Sequence, residues 1–147
     1  MDQGTLDQGM LDRLAVETVA PGTLAERMGI KIVSVVVEPA VRVEATMPVA
    51  GNTQPYGLLH GGASCVLAET IGSLGAVLHA GPGRIAVGIE INATHHRGAR
   101  DGLVTAVATL AHGGRTLATF DILITDEDGR KVCTARLTCL IRDGVPG

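Results

Sequence analysis

The stretch Leu59-His60-Gly61-Gly62-Ala63-Ser64-Cys65-Val66-Leu67-Ala68-Glu69 decides how this chain is read. Two glycines behind a polar residue open a helix and leave its first N–H groups bare, and such groups favour negative charge. The helical pattern runs on through Leu67, Ile71, Leu74 and Leu78, an apolar stripe, and stops before Gly81-Pro82-Gly83. The spacing predicts one long helix over 60–79. Glu69 and Ser73, one turn apart, fall roughly opposite the stripe, and Glu69 is the only acidic residue between Glu44 and Glu90. Gly62, Cys65, Gly72 and Ala76 flank them, a small-residue face suited to close approach of a second subunit.

Downstream, four segments with alternating pattern, about 85–97, 103–111, 115–125 and 131–142, are spaced as an antiparallel meander. His112-Gly113-Gly114 and Asp126-Glu127-Asp128-Gly129 read as hairpin loops, and Gly98 to Gly102 as a longer one. In the first of these strands Ile85, Val87, Ile89, Ile91 and His95 share one face, with Glu90, Asn92 and His96 on the other. Upstream, strands are expected at 30–37 and 40–47, a capped helix over Thr23–Gly29, and a loop from Pro48 to Leu59 rich in Gly, Asn, Gln and Pro. The first ten residues look frayed, with a loose helical turn from Leu11 to Val16. This gives an α+β chain: a flexible segment over 1–20 and one domain over 21–143, its antiparallel sheet wrapped around one long central helix.

Composition narrows the function. The 147 residues suffice for one compact core, and 46% hydrophobic with 18% charged residues excludes a disordered chain. A net charge of −3 with one Tyr and one Phe gives neither the basic footprint nor the stacking platforms of a nucleic-acid binder. No apolar run reaches the roughly 18 residues that span a bilayer, and the N-terminus lacks the basic and apolar regions of a signal peptide. A cytoplasmic protein without membrane contact is expected. Three cysteines without CxxC spacing, Cys65, Cys133 and Cys139, predict no disulfide framework and no zinc site. Cys133 and Cys139 share a strand face with Ala135, Leu137 and Ile141 and read as core. His95 and His96 are adjacent on a strand, point to opposite faces, and make a poor metal pair.

A helix N-terminus that can stabilise an oxyanion, followed by a carboxylate, points to acyl transfer. Gly61 and Glu69 are eight residues apart, about 12 Å along a helix axis, so they cannot both touch one carbonyl. If both serve one reaction, the amide and the carboxylate come from different subunits, with two helices antiparallel across a dimer axis.

From Gln54 to Arg142 the chain resembles the hotdog-fold acyl-CoA thioesterases of the hydroxybenzoyl-CoA and phenylacetate-pathway type, above all the dihydroxynaphthoyl-CoA thioesterases of menaquinone synthesis. The resemblance lies in Gln54-Pro55-Tyr56-Gly57-Leu58-Leu59-His60-Gly61-Gly62-Ala63-Ser64, in Leu67-Ala68-Glu69-Thr70-Ile71-Gly72-Ser73 and in Gly88-Ile89-Glu90-Ile91-Asn92-Ala93-Thr94-His95. It implies a hotdog fold and hydrolysis of an aromatic or related acyl-CoA to free acid and CoA. Glu69 would be nucleophile or general base, and the Gly61 amide would polarise the carbonyl. Gln54 and His60 would position the carbonyl or the attacking water, and Ser73 would support the site. Gly88, the stretch His95-His96-Arg97-Gly98 and the hairpin His112-Gly113-Gly114-Arg115-Thr116 would hold the CoA pantetheine and nucleotide. The implied assembly is a homodimer, pairing again into a homotetramer. No metal or resident cofactor is implied, CoA being part of the substrate. Tyr56 stands where the resemblance leads one to expect phenylalanine, a mild departure that bears on the acyl preference.

Simpler roles remain open. Glu69 could be half of a structural ion pair, His60 a helix cap, Gln54 a loop residue bonding backbone, and Ser73 a back-bond to the preceding turn. A non-catalytic acyl-CoA binder or regulator is the alternative on the same fold. A hotdog hydratase would need a different pairing of His and acidic residues.

Overall fold

A computed structural model describes residues 7–144. The 20-residue helix α3 (Gly61–Ala80) lies in the concave face of a six-stranded antiparallel sheet, preceded by α1 (Gln8–Thr18) and the short α2 (Leu24–Arg27). The strands are β1 (Lys31–Val36), β2 (Arg42–Pro48), β3 (Arg84–His95), β4 (Leu103–Gly113), β5 (Leu117–Thr125) and β6 (Lys131–Asp143).

The apolar stripe of α3 does what its spacing implies. Leu67, Ile71, Leu74 and Leu78 are all buried against the sheet, beside Phe120, Leu137 and Ile124. Full burial of such side chains contributes about 1.5–3 kcal/mol each. The helix is apolar and long enough to cross a membrane, but over half of it is buried inside the fold, as befits a core helix.

Two expectations are corrected. Residues Gly72 and Ala76, assigned above to a subunit contact, are buried against this chain's own sheet: a Cβ on Gly72 would lie 2.6 Å from Leu137. The missing side chain brings helix and sheet close together. The meander is real only for β4, β5 and β6. The sheet order is β1-β2-β4-β5-β6-β3, so β3 pairs with β6 at the far edge and β4 with β2. Gly98–Gly102 is therefore a crossover rather than a hairpin loop. It is pinned to the Pro48–Leu59 loop, where Leu59 N donates to the Ala99 carbonyl at 2.7 Å and Val49 N to the Gly102 carbonyl at 3.0 Å.

A third correction concerns β3. Its register against β6 shifts between Gly88 and Glu90, and such a bulge inverts which residues face the core. Ile85, Val87 and Ile89 consequently lie on the outer face, 44%, 49% and 56% exposed, whereas Ala86, Gly88, Ile91, Ala93 and His95 face inward. At the N-terminus, the loose turn expected over Leu11–Val16 is an eleven-residue helix from Gln8, capped by Asp7 and leaning on α3 through Leu11 and Leu14. Positions 1–6 of the N-terminal segment lie outside the described residues.

Candidate active site

The Pro48–Leu59 loop fixes where α3 begins. The Asn52 side-chain amide donates to the carbonyls of Met28 and Pro48, both at 2.8 Å, and the Asn52 carbonyl accepts from His60 N at 2.9 Å. His60 thus arrives extended, as the N-cap, and its Nδ1 accepts the Gly62 N–H at 2.8 Å. That bond puts the proton of the neutral imidazole on Nε2, a donor left free. It also occupies one of the two amides that the glycine pair was expected to leave open. The amide left open is Gly61 N–H, the first of the helix, which makes no hydrogen bond among the described residues.

Gly61 borders a cavity of about 350 Å³ with Gln54, Ser64, His95, His96, Arg97 and Gly98. Gln54 is held by its own loop: Gln54 N donates to the Leu58 carbonyl at 2.8 Å and Oε1 accepts from Tyr56 N at 2.6 Å. With Oε1 committed, its NH2 remains as a donor on the cavity wall. His95 comes from the inner face of β3, and its Nε2 would sit 2.8 Å from a Cβ on Gly61, so its ring rests on the Gly61 backbone. His96, one residue on, turns outward to Thr134 Oγ1 at 2.8 Å. The opposed faces expected for this pair are observed.

Glu69 lines a different cavity, about 400 Å³, with Leu14, Glu17 and Thr18 of α1 and Thr70, Ser73 and Leu74 of α3. Its carboxylate lies against the bare backbone of Gly88, where any Cβ would run into it. Burial pushes the Glu69 carboxyl above its ordinary value of 4.5, and no cation pairs with it among the described residues. No ion pair within the described residues of one protomer accounts for Glu69. Ser73 stands beside the thiol of Cys139, which burial holds above the usual thiol range.

The structure thus brings Gln54, His60, Gly61 and the His95–Gly98 stretch together, and places Glu69, Ser73 and Gly88 in a second group. Gly88, tied by resemblance to CoA, belongs with the glutamate in this geometry. The His112–Thr116 hairpin joins neither group within one protomer. It lies at the far end of α3, about 30 Å along the axis, where His79 Nε2 meets the Gly114 carbonyl at 3.1 Å and Arg84 donates to the Arg115 carbonyl at 2.9 Å.

Sequence reasoning gave no place in the site to Ser64, Leu14, Glu17 or Thr18, and read Cys139 only as core. Cys139 faces Gly88 across the β3–β6 ladder, a neighbour visible only once the register is known. All three cysteines are free; Cys133 is driven up to about 11 by burial, with Cys65 beside it adding to the effect. Neither buried thiol is poised as a thiolate. Among the described residues no group of three or more His, Cys, Asp or Glu side chains could hold a metal ion.

Comparison with known proteins identifies the family. The thioesterase superfamily pattern matches residues 56–133. The proofreading thioesterase EntH of Cronobacter turicensis is 44% identical over 128 residues, 86% of this chain and 91% of that protein. The solved structure of the Haemophilus influenzae thioesterase HI1161 superimposes with a TM-score of 0.83 at 36% identity, covering 98% of this chain and 96% of that one. Two structures of Staphylococcus aureus SAV0944, one with a glutamate and one with a glutamine replaced by alanine, give TM-scores of 0.77 and 0.73 at 35% identity, covering 82% and 81% of this chain and 99% and 98% of theirs. With the family pattern spanning more than half of the chain and a close relative spanning most of it, this hotdog protein belongs to the thioesterase superfamily and is a thioester hydrolase.

Proposed function

We propose that the chain hydrolyses an aromatic or related acyl-CoA thioester to the free acid and CoA, at sites assembled between two subunits. The substrate type follows the resemblance to hydroxybenzoyl-CoA and dihydroxynaphthoyl-CoA thioesterases. One observation carries the site: the open Gly61 amide and the desolvated Glu69 carboxylate stand in separate cavities of one protomer, each lacking what the other supplies. Two subunits with α3 antiparallel bring each amide to the other's carboxylate, so the dimer holds two equivalent sites. The exposed edge strand β3 and Tyr56, 84% exposed beside Gln54, are the surfaces such a dimer would cover. The same antiparallel placement carries the His112–Thr116 hairpin of one subunit toward the Arg97 region of the other, where both can hold one CoA.

In this reading the thioester carbonyl oxygen takes the Gly61 N–H, with His60 Nε2–H and the Gln54 NH2 as further donors. Glu69 either removes a proton from water, whose oxygen attacks the carbonyl carbon, or attacks that carbon itself to give an anhydride that water opens. In both routes the C–S bond breaks, the thiolate leaves and water supplies the acid's new oxygen. No metal or cofactor enters. Ser73, one turn beyond Glu69, lines the same cavity and supports the site from its floor. Support for Gln54 and Glu69 comes from the SAV0944 variants, whose altered glutamine and glutamate stand fifteen positions apart, the separation of Gln54 and Glu69 here.

The test is CoA-thiol release from a panel of benzoyl, phenylacetyl, naphthoyl and fatty acyl thioesters, with Glu69→Gln as control. Aryl thioesters turning over fastest, with the variant inactive, is the expected result. Silence across the panel, or a variant as active as the parent, overturns the reading.

A further inference from the structure

Resting on the reading of Glu69 as the group that acts on the thioester, we infer that Glu17 of α1 is a specificity-determining residue: it selects acyl groups bearing a hydrogen-bond donor at their far end and rejects anionic ones. A group held at Glu69 extends into the cavity between α1 and α3. Leu14, Glu17 and Thr18 fall at i, i+3 and i+4 and so form the wall that α1 presents to it. Most of that wall has nothing polar to offer. Thr18 gives its hydroxyl to the Leu14 carbonyl at 2.7 Å, and Thr70 gives its own to the Val66 carbonyl at 2.7 Å. Ser73 lies beside the Cys139 thiol, and Leu14, Leu74 and Val77 are apolar.

The charged groups on this wall are one carboxylate at each side, Glu69 at the reacting end and Glu17 on α1. Among the described residues Glu17 makes no ion pair or side-chain hydrogen bond, and Arg13, one turn earlier, and Arg84 line with it the adjoining cavity and not this one. An apolar slot with an unpaired acceptor on its outer wall matches a flat or branched apolar body ending in a hydroxyl or ammonium. A carboxylate there would face two like charges, the nearest cations, Arg13 and Arg84, lying on the adjoining cavity. Partners of this kind are told apart by the cost of leaving a group unpaired or repelled, more than by attraction alone.

The experiment compares kcat/KM for benzoyl-CoA, hydroxybenzoyl-CoA and carboxybenzoyl-CoA in the full-length enzyme and in Glu17→Gln, Glu17→Lys and Asp12→Asn. Asp12, bonded to Gln8 on α1 outside the cavity, controls for bulk charge. The native enzyme should prefer the hydroxy over the carboxy substrate. That ratio should fall about tenfold in Glu17→Gln, the scale of one near-surface charge interaction, invert in Glu17→Lys, and stay put in Asp12→Asn. The change should appear mainly in KM, because Glu17 touches the acyl group and not the reacting atoms. A ratio unmoved in both Glu17 variants, or moved equally by Asp12→Asn, overturns the inference while leaving the thioesterase reading intact. No thiol release from any of the three by the native enzyme overturns both.

Discussion

The first turn of α3 and its middle are built on opposite electrostatic plans, although one rigid helix carries both. At the N-terminus donors are gathered and held: the Gly62 amide is tied by His60, the loop is pinned at Asn52, and the single open N–H is aimed by elimination. At Glu69 partners are withheld: Gly88 offers a bare backbone, and the carboxylate is left underhydrated and, among the described residues, unpaired. The first arrangement suits charge that develops on a carbonyl oxygen during reaction, since its donors need no reorganisation. The second suits a group that must give up an electron pair, since weak solvation raises its basicity. Their roughly 12 Å separation along the axis makes them complementary halves of two sites rather than one.

The sharpest way to break this contrast is to neutralise the withheld charge. Glu69→Gln keeps shape and loses basicity, and kcat should fall by about 10³-fold or more, with CoA binding by calorimetry unchanged. A smaller loss belongs to the gathered donors. Gly61→Ala puts a methyl where His95 lies 2.8 Å away, and displacing the amide should cost about 10²- to 10³-fold in kcat. The two variants together test the division between subunits. If equal amounts exchange protomers, half the dimers are mixed and each carries one intact site, so about a quarter of the native activity returns. A mixture no more active than its components would place amide and carboxylate in one protomer.

How far the sequence could be read depended on whether the answer was local. The helix stripe, the His60 cap and the stop at Gly81-Pro82-Gly83 follow from spacing within a few turns and stand where expected, and the chemistry proposed for Gly61 and Glu69 was legible from the same local pattern. What escaped was set by pairing. Nothing local marks the bulge at Gly88, yet it turns Ile85, Val87 and Ile89 outward and puts Gly88 under Glu69. Nor does any local signal send β3 past β4 to the far edge, or tell that Gly72 serves Leu137 and not a second subunit. The N-terminal helix was undervalued for a related reason. It has no buried residue of its own, so its pattern is weak, and its importance lies in what it covers.

A gentler variation of conditions sharpens the contrast further. Since Glu69 must be ionised to act, kcat/KM should drop on the acid side with a midpoint above 4.5, and this limb should vanish from the residual activity of Glu69→Gln.

The smallest effect is on stability, and its sign distinguishes a withheld charge from a paired one. Burial raises the Glu69 carboxyl in the folded chain above its unfolded value, so folding favours the protonated form. That contribution is complete below the unfolded value of about 4.5 and is lost as pH rises through the folded value. At pH 7 the native chain therefore carries a destabilising charge that Glu69→Gln removes. The variant should melt at a higher temperature than the parent at pH 7, and the gap should close as pH falls toward 4.5. A carboxylate held in a hidden ion pair would behave in reverse, the variant melting lower at pH 7. Differential scanning calorimetry of the two proteins across that range separates the cases, and an enzyme made more stable by the change that abolishes its turnover is what a withheld charge requires.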